Sequence, residues 1–533
     1  MSTTHRAGPP VTTAPVAEAP MSKRETLEAL SGLLLALFVG LLSSTIVSNA
    51  LPTITSKLEG TQSQYTWVIT ASLLAATATT PIWGKLADLY SKKLLVQAAI
   101  VVFVIGSALS GLSQSMGMLI AFRVIQGVGM GGLQALAQVV IGALIPPRER
   151  GKYSGYLGAV MAVATVGGPL LGGVIVDTSW LGWRWCFYVC VPLAVISLII
   201  LQKYLHLPLF KREVKVDYLG AILISITASL PLIWVTFAGQ KFDWVSWQSA
   251  LFVGGAILFG VLTVMVENRV REPLVPLKVV RQRTTALAIV ASMAVGVAMF
   301  GSALFLGQYF QVARGYSATE AGLLTIPMML GSFIGSVGAG QMVSRFGKWK
   351  RYLIAGGILL TVGLGILGTI DHTSPYWYVG LGMLFMGIGM GMMMQNLVLA
   401  VQNTVDVSEI GASSASVAFF RSLGGAVGVA VLGAVLATRV KDLLIQGVLH
   451  GPGGAAAAAK LQQGGSDGTS LLDVNHLPPA LAELVRQSYG DATGRIFLIA
   501  AACALVSLIA VLFIKEIPLR RTVAKLDEPI ELD

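Results

Sequence analysis

The chain alternates long apolar runs with short polar gaps. The runs lie at roughly 28–51, 65–87, 94–112, 119–141, 152–176, 184–205, 217–239, 247–266, 284–310, 320–343, 352–370, 376–402, 411–438 and 495–514. Each approaches the ~20 residues that a helix needs to cross a hydrocarbon layer of about 30 Å. Backbone in hydrocarbon must satisfy its own hydrogen bonds, so runs of this length predict helices. The expected fold is an all-α polytopic membrane protein with fourteen spanning helices. One six-helix bundle is expected over 28–205 and a second over 284–514. Two inserted helices with their linkers occupy 206–283, joined by the aromatic turn GQKFDWVSW. Residues 1–27 are expected to be a disordered N-terminus, 439–494 a long external loop and 515–533 a tail. That loop holds GPGGAAAAAKLQQGG, with a marginal helix over Ala455–Leu461, and an amphipathic stretch, LPPALAELVRQSYG. The first apolar run has full spanning length, so no secretory cleavage signal is expected.

Composition supports this class. The 533 residues are 55% hydrophobic and 12% charged, against roughly 25% charged in soluble chains. In a soluble protein the net charge of +11 would suggest a nucleic-acid partner. Here most of the basic residues fall in alternate gaps, as in Lys92-Lys93, Arg148-Glu149-Arg150 and Arg345–Arg351. That bias places both termini in the cytoplasm, and no nucleic acid is expected. Cys186, Cys190 and Cys503 lie in apolar runs without disulfide or metal spacing. The five histidines all lie outside the runs, and no phosphate-binding P-loop is present. Neither an enzyme, an ATP-driven pump, a metal site nor a cofactor is expected.

Polar residues inside the runs carry the candidate chemistry. Arg123 stands in LIAFRVIQGVGMGG. A guanidinium exposed to lipid costs several kcal/mol, so it either faces an interior cavity or snorkels to a nearby helix end. Gln126 shares its face, and Gln134 and Gln138 continue the polar positions along the same helix. They line a cavity or make polar helix contacts. In ATVGGPLLGG, Pro169 bends the helix while Gly167, Gly168, Gly172 and Gly173 permit close packing. A mechanistic bend and plain packing are both open. In GKLADLYSKK, Asp88 ends a helix, and Lys92 and Lys93 close the hairpin as a gate or a topogenic loop. Arg421 anchors to lipid phosphate or pairs with Glu409.

The first run carries Ser43, Ser44, Thr45, Ser48 and Asn49, none of which titrates near neutral pH. The carboxylates nearest the runs sit at predicted ends: Glu25, Glu28, Asp177, Asp217, Glu267, Glu320, Asp371, Asp406 and Glu409. A chamber without carboxylates suits neutral, zwitterionic or anionic amphiphiles better than lipophilic dications. Its candidate lining is Ser43, Asn49, Gln126 and Gln134, then Phe300, Gln308, Tyr309 and Gln311, then Met390, Met394, Gln395 and Asn396. Methionine adapts to varied ligands, although core packing is the alternative.

Taken in order, these motifs resemble the major facilitator superfamily, specifically its fourteen-helix drug:proton antiporters, over residues 28–515. The likeness is carried by LSSTIVSNALP (42–52), GKLADLYSKK (84–93), the Arg123 segment (119–132), ATVGGPLLGG (164–173), WRWCFYVCVP (183–192) and VDYLG (216–220). The resemblance implies two bundles rocking about a central site. It implies that Asp88 latches the outward-facing state, with the family's arginine and glycine replaced by Leu89 and Ser91. It makes Arg123 part of proton coupling and the Gly168-Pro169 bend a device favouring exchange. The family's membrane aspartate on the first helix is replaced by Ser43. Coupling then falls to Glu28, Glu320, Asp371 or another end carboxylate. The implied function is proton-coupled efflux of drug-like lipophilic compounds across the plasma (inner) membrane of a bacterium. The alternative is an exporter or flippase of lipid or cell-envelope precursors, weakly coupled to protons. The expected partners are a small lipophilic or amphiphilic substrate, protons and membrane lipids, and the chain is expected to act as a monomer.

Overall fold

The computed structural model describes residues 23–60, 62–145, 180–205, 218–238, 242–270, 277–316, 318–405, 410–449 and 479–519, with further positions scattered between 153 and 178. The helices of the N-terminal part are α1 (Lys23–Lys57), α2 (Gln62–Leu89), α3 (Lys92–Gly111) and α4 (Met116–Leu144). The described positions from 153 to 176 are helical and form α5. α6 spans Trp185–Tyr204. The central pair is α7 (Tyr218–Phe237) and α8 (Trp247–Glu267). Then come α9 (Arg283–Gln308), α10 (Ile326–Phe346), α11 (Lys350–Leu367), α12 (Tyr376–Gln402), α13 (Ile410–Leu449) and α14 (Pro479–Phe513). A π-helical turn, Tyr309–Ala313, extends α9, and a short helix, Ala318–Leu324, leads into α10.

Among the described residues, eleven helices are long and apolar enough to cross a membrane. The expected fourteen are thus reached at eleven; α2, α5 and α7 are helical but fall outside that count. α2 is diluted by threonines and holds Pro81. Thr79 and Thr80 donate back to the carbonyls of Ala75 and Ala76, both at 2.7 Å, which satisfies hydroxyls inside a helix. α7 contributes a shorter apolar run, Leu219–Pro231.

Three boundaries differ from expectation. α1 begins at Lys23, inside the segment expected to be disordered, where Arg24 Nε meets Glu28 Oε1 one turn on at 3.0 Å. α13 and α14 occupy 439–449 and 479–494, expected as loop. Hydropathy ends where charges such as Arg439 begin, but those residues still favour a helix. The added turns of α14 are amphipathic and bury Ala482, Val485 and Ala492. Ala455–Leu461 lies outside the described residues.

Two apolar cores organise the packing. One is built from residues between Ala29 and Leu205, the other from residues between Ala288 and Leu519. Within the first, α4 packs on α2 and α3, and α1 on α6. Within the second, α12 packs on α10 and α11, and α9 on α13. Across the two, α13 runs along α2 and α4, and α7 leans on both α2 and α13.

The ends of the bundle are distinguishable. Leu30 and Leu34 of α1 meet Ile141 of α4 and Tyr153 of α5 around a hollow of about 180 Å³. Gly142 of α4 faces Gln402 of α12 and Ile410 of α13. Asn403 donates to the carbonyls of Ile517 (3.3 Å) and Pro518 (3.0 Å). The start of α1 and the chain beyond α14 therefore share one end, the terminal end.

Candidate functional site

Arg123 lies deep in the first core, 3% exposed. Its Nε donates to the Val68 carbonyl of α2 at 3.3 Å, and its Nη1 donates to Gln126 Oε1. The Gln126 amide then donates to Ser43 Oγ of α1 at 3.0 Å and to Ser107 Oγ of α3 at 3.1 Å. The Ser107 hydroxyl in turn donates to the Phe187 carbonyl of α6 at 3.0 Å. One guanidinium thus ties five helices together through a glutamine. Gly106 makes this possible, because any Cβ there would strike the Gln126 backbone. Among the described residues, no carboxylate pairs with Arg123. The snorkelling alternative does not fit a 3% exposed side chain held by two interior acceptors.

A second polar layer joins the halves near the terminal end. Gln138 Nε2 of α4 donates to Gln395 Oε1 of α12 at 3.1 Å. Gln402 Nε2 donates to Ser414 Oγ of α13 at 2.8 Å and reaches the Gln138 carbonyl at 3.4 Å. Helix α5 crosses α1 at Gly168, where a Cβ would strike Thr45. Thr45 Oγ1 also donates to the Ala164 carbonyl of α5 at 3.1 Å.

A family model described as Major Facilitator Superfamily matches residues 33–429. The chain belongs to the major facilitator superfamily. It is 34% identical to the multidrug transporter protein MdtP of Bacillus subtilis (strain 168), over 80% of this chain and 78% of that one. It is 30% identical to multidrug resistance protein 3 of the same organism, over 92% and 95%. An uncharacterized MFS-type transporter of Mycobacterium tuberculosis (strain ATCC 25618 / H37Rv) is 34% identical over 92% of this chain and 69% of its own length. Two solved structures share the fold. The human organic anion transporter MFSD10 gives a TM-score of 0.61 at 14% identity, covering 92% of this chain and all of that one. The proton:xylose symporter XylE gives 0.60 at 13%, covering 92% and 96%. As a member of this superfamily the chain is a multi-pass membrane transport protein, not an enzyme.

The remaining candidates fall in several places. Lys93 Nζ donates to the Gln202 carbonyl at 2.7 Å, satisfying the end of α6, and Lys92 is half-buried. Gly168 and Gly172 are buried. The side chains of Asp88 and Asn49, and all of Pro169 and Gly173, lie outside the described residues. Gln134 is half-buried on α4. Phe300 of α9 packs on Gly425. Gln308 is half-buried with its Oε1 unpartnered, and Gln311 is exposed. Tyr309 sits wholly inside the second core, its hydroxyl donating to the Asp371 carbonyl at 2.7 Å. Met394, Gln395 and Asn396 are buried and Met390 is half-buried. Asn396 donates back to the Met392 carbonyl at 2.7 Å, whereas Gln395 Nε2 has no partner among the described residues.

Arg421 departs from the lipid-anchor expectation. It is 7% exposed, and its buried Nη1 has no partner among the described residues. Ser107, Gln402 and Ser414 were not foreseen. Gln402 stands seven residues from Gln395, and that spacing was the available signal. Among the end carboxylates, Glu28 is engaged by Arg24 and Glu320 is exposed. Asp371 sits in the loop after α11. Partial burial alone would raise its carboxyl, but hydrogen bonds from Thr373 and Ser374 outweigh that and hold it below its usual range.

Proposed function

We propose that this chain is a secondary active exporter of drug-like lipophilic compounds, coupled to the proton gradient and working by alternating access. In this reading fourteen helices span a bacterial plasma membrane as bundles 28–205 and 284–514 around the central pair. Both termini face the cytoplasm, and the chain works as a monomer. The observation that carries the reading is the glutamine seam, in which Gln138 of α4 bonds Gln395 and Gln402 of α12 reaches the Gln138 carbonyl, joining the two halves near the terminal end of these helices. Neutral, single hydrogen bonds of about 1 kcal/mol each suit a contact that has to open and reform. The separate apolar cores support rocking of two rigid units. The similarity to the Bacillus multidrug transporter protein MdtP and multidrug resistance protein 3 supports multidrug compounds as cargo.

The test uses purified protein in proteoliposomes with an internal pH dye and a panel of neutral, anionic and cationic amphiphiles. Flux of at least one compound should follow the imposed proton gradient and should vanish in R123A while protein insertion is unchanged. Flux indifferent to the gradient would refute coupling; normal flux in R123A would refute the role of Arg123. A second reading, export or flipping of a lipid or envelope precursor, is favoured by the surroundings of Arg123, where no carboxylate pairs with it among the described residues. Translocation of a fluorescent phospholipid, read by dithionite quenching, separates it from dye efflux.

A further inference from the structure

A cavity of about 610 Å³ opens between α13, α14 and the tip of the α7–α8 hairpin. Its wall on α13 runs Val431, Val435, Arg439 and Asp442; Arg495 of α14 and Trp244 of the hairpin complete it. Ser414 fixes the terminal end of α13. Val431 therefore lies about 25 Å along the helix and Asp442 about 42 Å, toward the opposite membrane face. Over the ~12 Å between Val431 and Arg439 the wall changes from apolar to charged. That is the depth over which a bilayer passes from acyl chain to headgroup. Trp244 stands against Trp234 at 5.6 Å, edge to face, and tryptophan is favoured at that level.

The charges match one headgroup chemistry. Two guanidiniums on different helices offer forked donors to a phosphate. A single carboxylate, Asp442, stands beside them and would repel a purely anionic head while attracting an ammonium. Among the described residues, none of the three has an ion-pair or hydrogen-bond partner. We infer that this groove binds a phospholipid with a zwitterionic phosphate–ammonium headgroup. Arg439 and Arg495 hold the phosphate, Asp442 faces the ammonium, and an acyl chain lies along Val431 and Val435. The lipid fills the space between the central hairpin and α13, the helix that also carries the seam serine. This site depends on membrane insertion and not on the transport reading.

Native mass spectrometry of the delipidated full chain, titrated with phosphatidylethanolamine, phosphatidylglycerol and soluble phosphoethanolamine, tests it. Wild type should retain phosphatidylethanolamine over phosphatidylglycerol by roughly threefold, the ratio an exposed ion pair supplies. D442N should erase that preference, and the R439Q/R495Q double variant should lose about tenfold in binding of both lipids. The R439K/R495K variant should keep measurable binding, which guards against misfolding of the glutamine form. Equal retention of both lipids by wild type, or unchanged retention by R439Q/R495Q, would overturn the assignment. Phosphoethanolamine binding as tightly as the intact lipid would overturn the membrane source.

Discussion

Gln126 is the joint of the Arg123 network, and Q126L measures what that joint is worth. Leucine keeps nearly the same volume but removes one acceptor and two donors. Arg123 Nη1 then loses its side-chain partner in a site that is 3% exposed. An unmet charged hydrogen bond costs about 1.5–3 kcal/mol. Ser43 and Ser107 each lose a donor, but Ser107 keeps its own bond to the Phe187 carbonyl, so these losses are nearer ~0.5 kcal/mol each. The total is about 2.5–4 kcal/mol. Reversible unfolding in mixed micelles, followed by tryptophan fluorescence, reads it directly. Q126E should recover much of the loss. Its carboxylate still accepts from Arg123, at a Coulomb gain of about 4 kcal/mol at 4 Å and an effective dielectric near 20, offset by its own desolvation. A Q126L penalty below about 1 kcal/mol would mean that water or a rearranged side chain replaces Gln126 at no cost. The network would then be incidental to the fold.

Other expectations are equally direct. Q138L should weaken the seam by about 1 kcal/mol and raise the opened population about fivefold. Faster maleimide labelling of Q134C from the terminal side, in a background lacking Cys186, Cys190 and Cys503, is the readout; an unchanged rate refutes the gate. G168A should destabilise by roughly 1–3 kcal/mol through overpacking on Thr45, and T45A should rescue it; additive losses would place the strain elsewhere. Asp371 is held below its usual range, so its stabilising contribution is complete above about pH 4 and is lost only as pH falls through the lowered value. D371N should therefore leave the flux–pH profile between pH 5 and 8 unmoved, and a shifted midpoint would make Asp371 a coupling group after all.

Much of the helical framework was written in the apolar runs. Tyr376–Gln402 coincides with its run because Pro375 starts it and a polar stretch follows. The ends of α13 and α14 were not legible, because hydropathy measures partition into lipid and these turns are helical outside it. The Arg123–Gln126 contact followed from their spacing of three on one helix. Ser43 is 83 residues from Gln126, and Gln395 is 257 from Gln138, so those bonds needed the tertiary structure. Tyr309 shows the limit of reading faces from sequence. A polar-tipped aromatic in an apolar run suits a chamber or a core equally, and here a carbonyl in a neighbouring loop takes its hydroxyl.

The serine at position 43 changes the electrostatics of the interior more than its architecture. Gln126 fills the gap between Ser43 and Arg123, so the geometry is complete while the charge is left uncompensated. Arg421 adds a second buried guanidinium in the other half, with its Nη1 unpartnered. These two buried guanidiniums, with no ion pair to either among the described residues, make the interior a poor host for a cation. A unit charge about 8 Å from one guanidinium, at an effective dielectric near 20, is shifted by ~2 kcal/mol, about thirtyfold in affinity. Tetraphenylborate and tetraphenylphosphonium differ in sign but hardly in size, which makes them the decisive pair. Equilibrium binding to protein in nonionic detergent should favour the anion over the cation by twice that energy, about a thousandfold, and R421Q should shrink the preference without touching a neutral analogue. Tighter binding of the phosphonium would require a carboxylate facing the chamber and would mean that the buried guanidiniums do not set the sign of the interior.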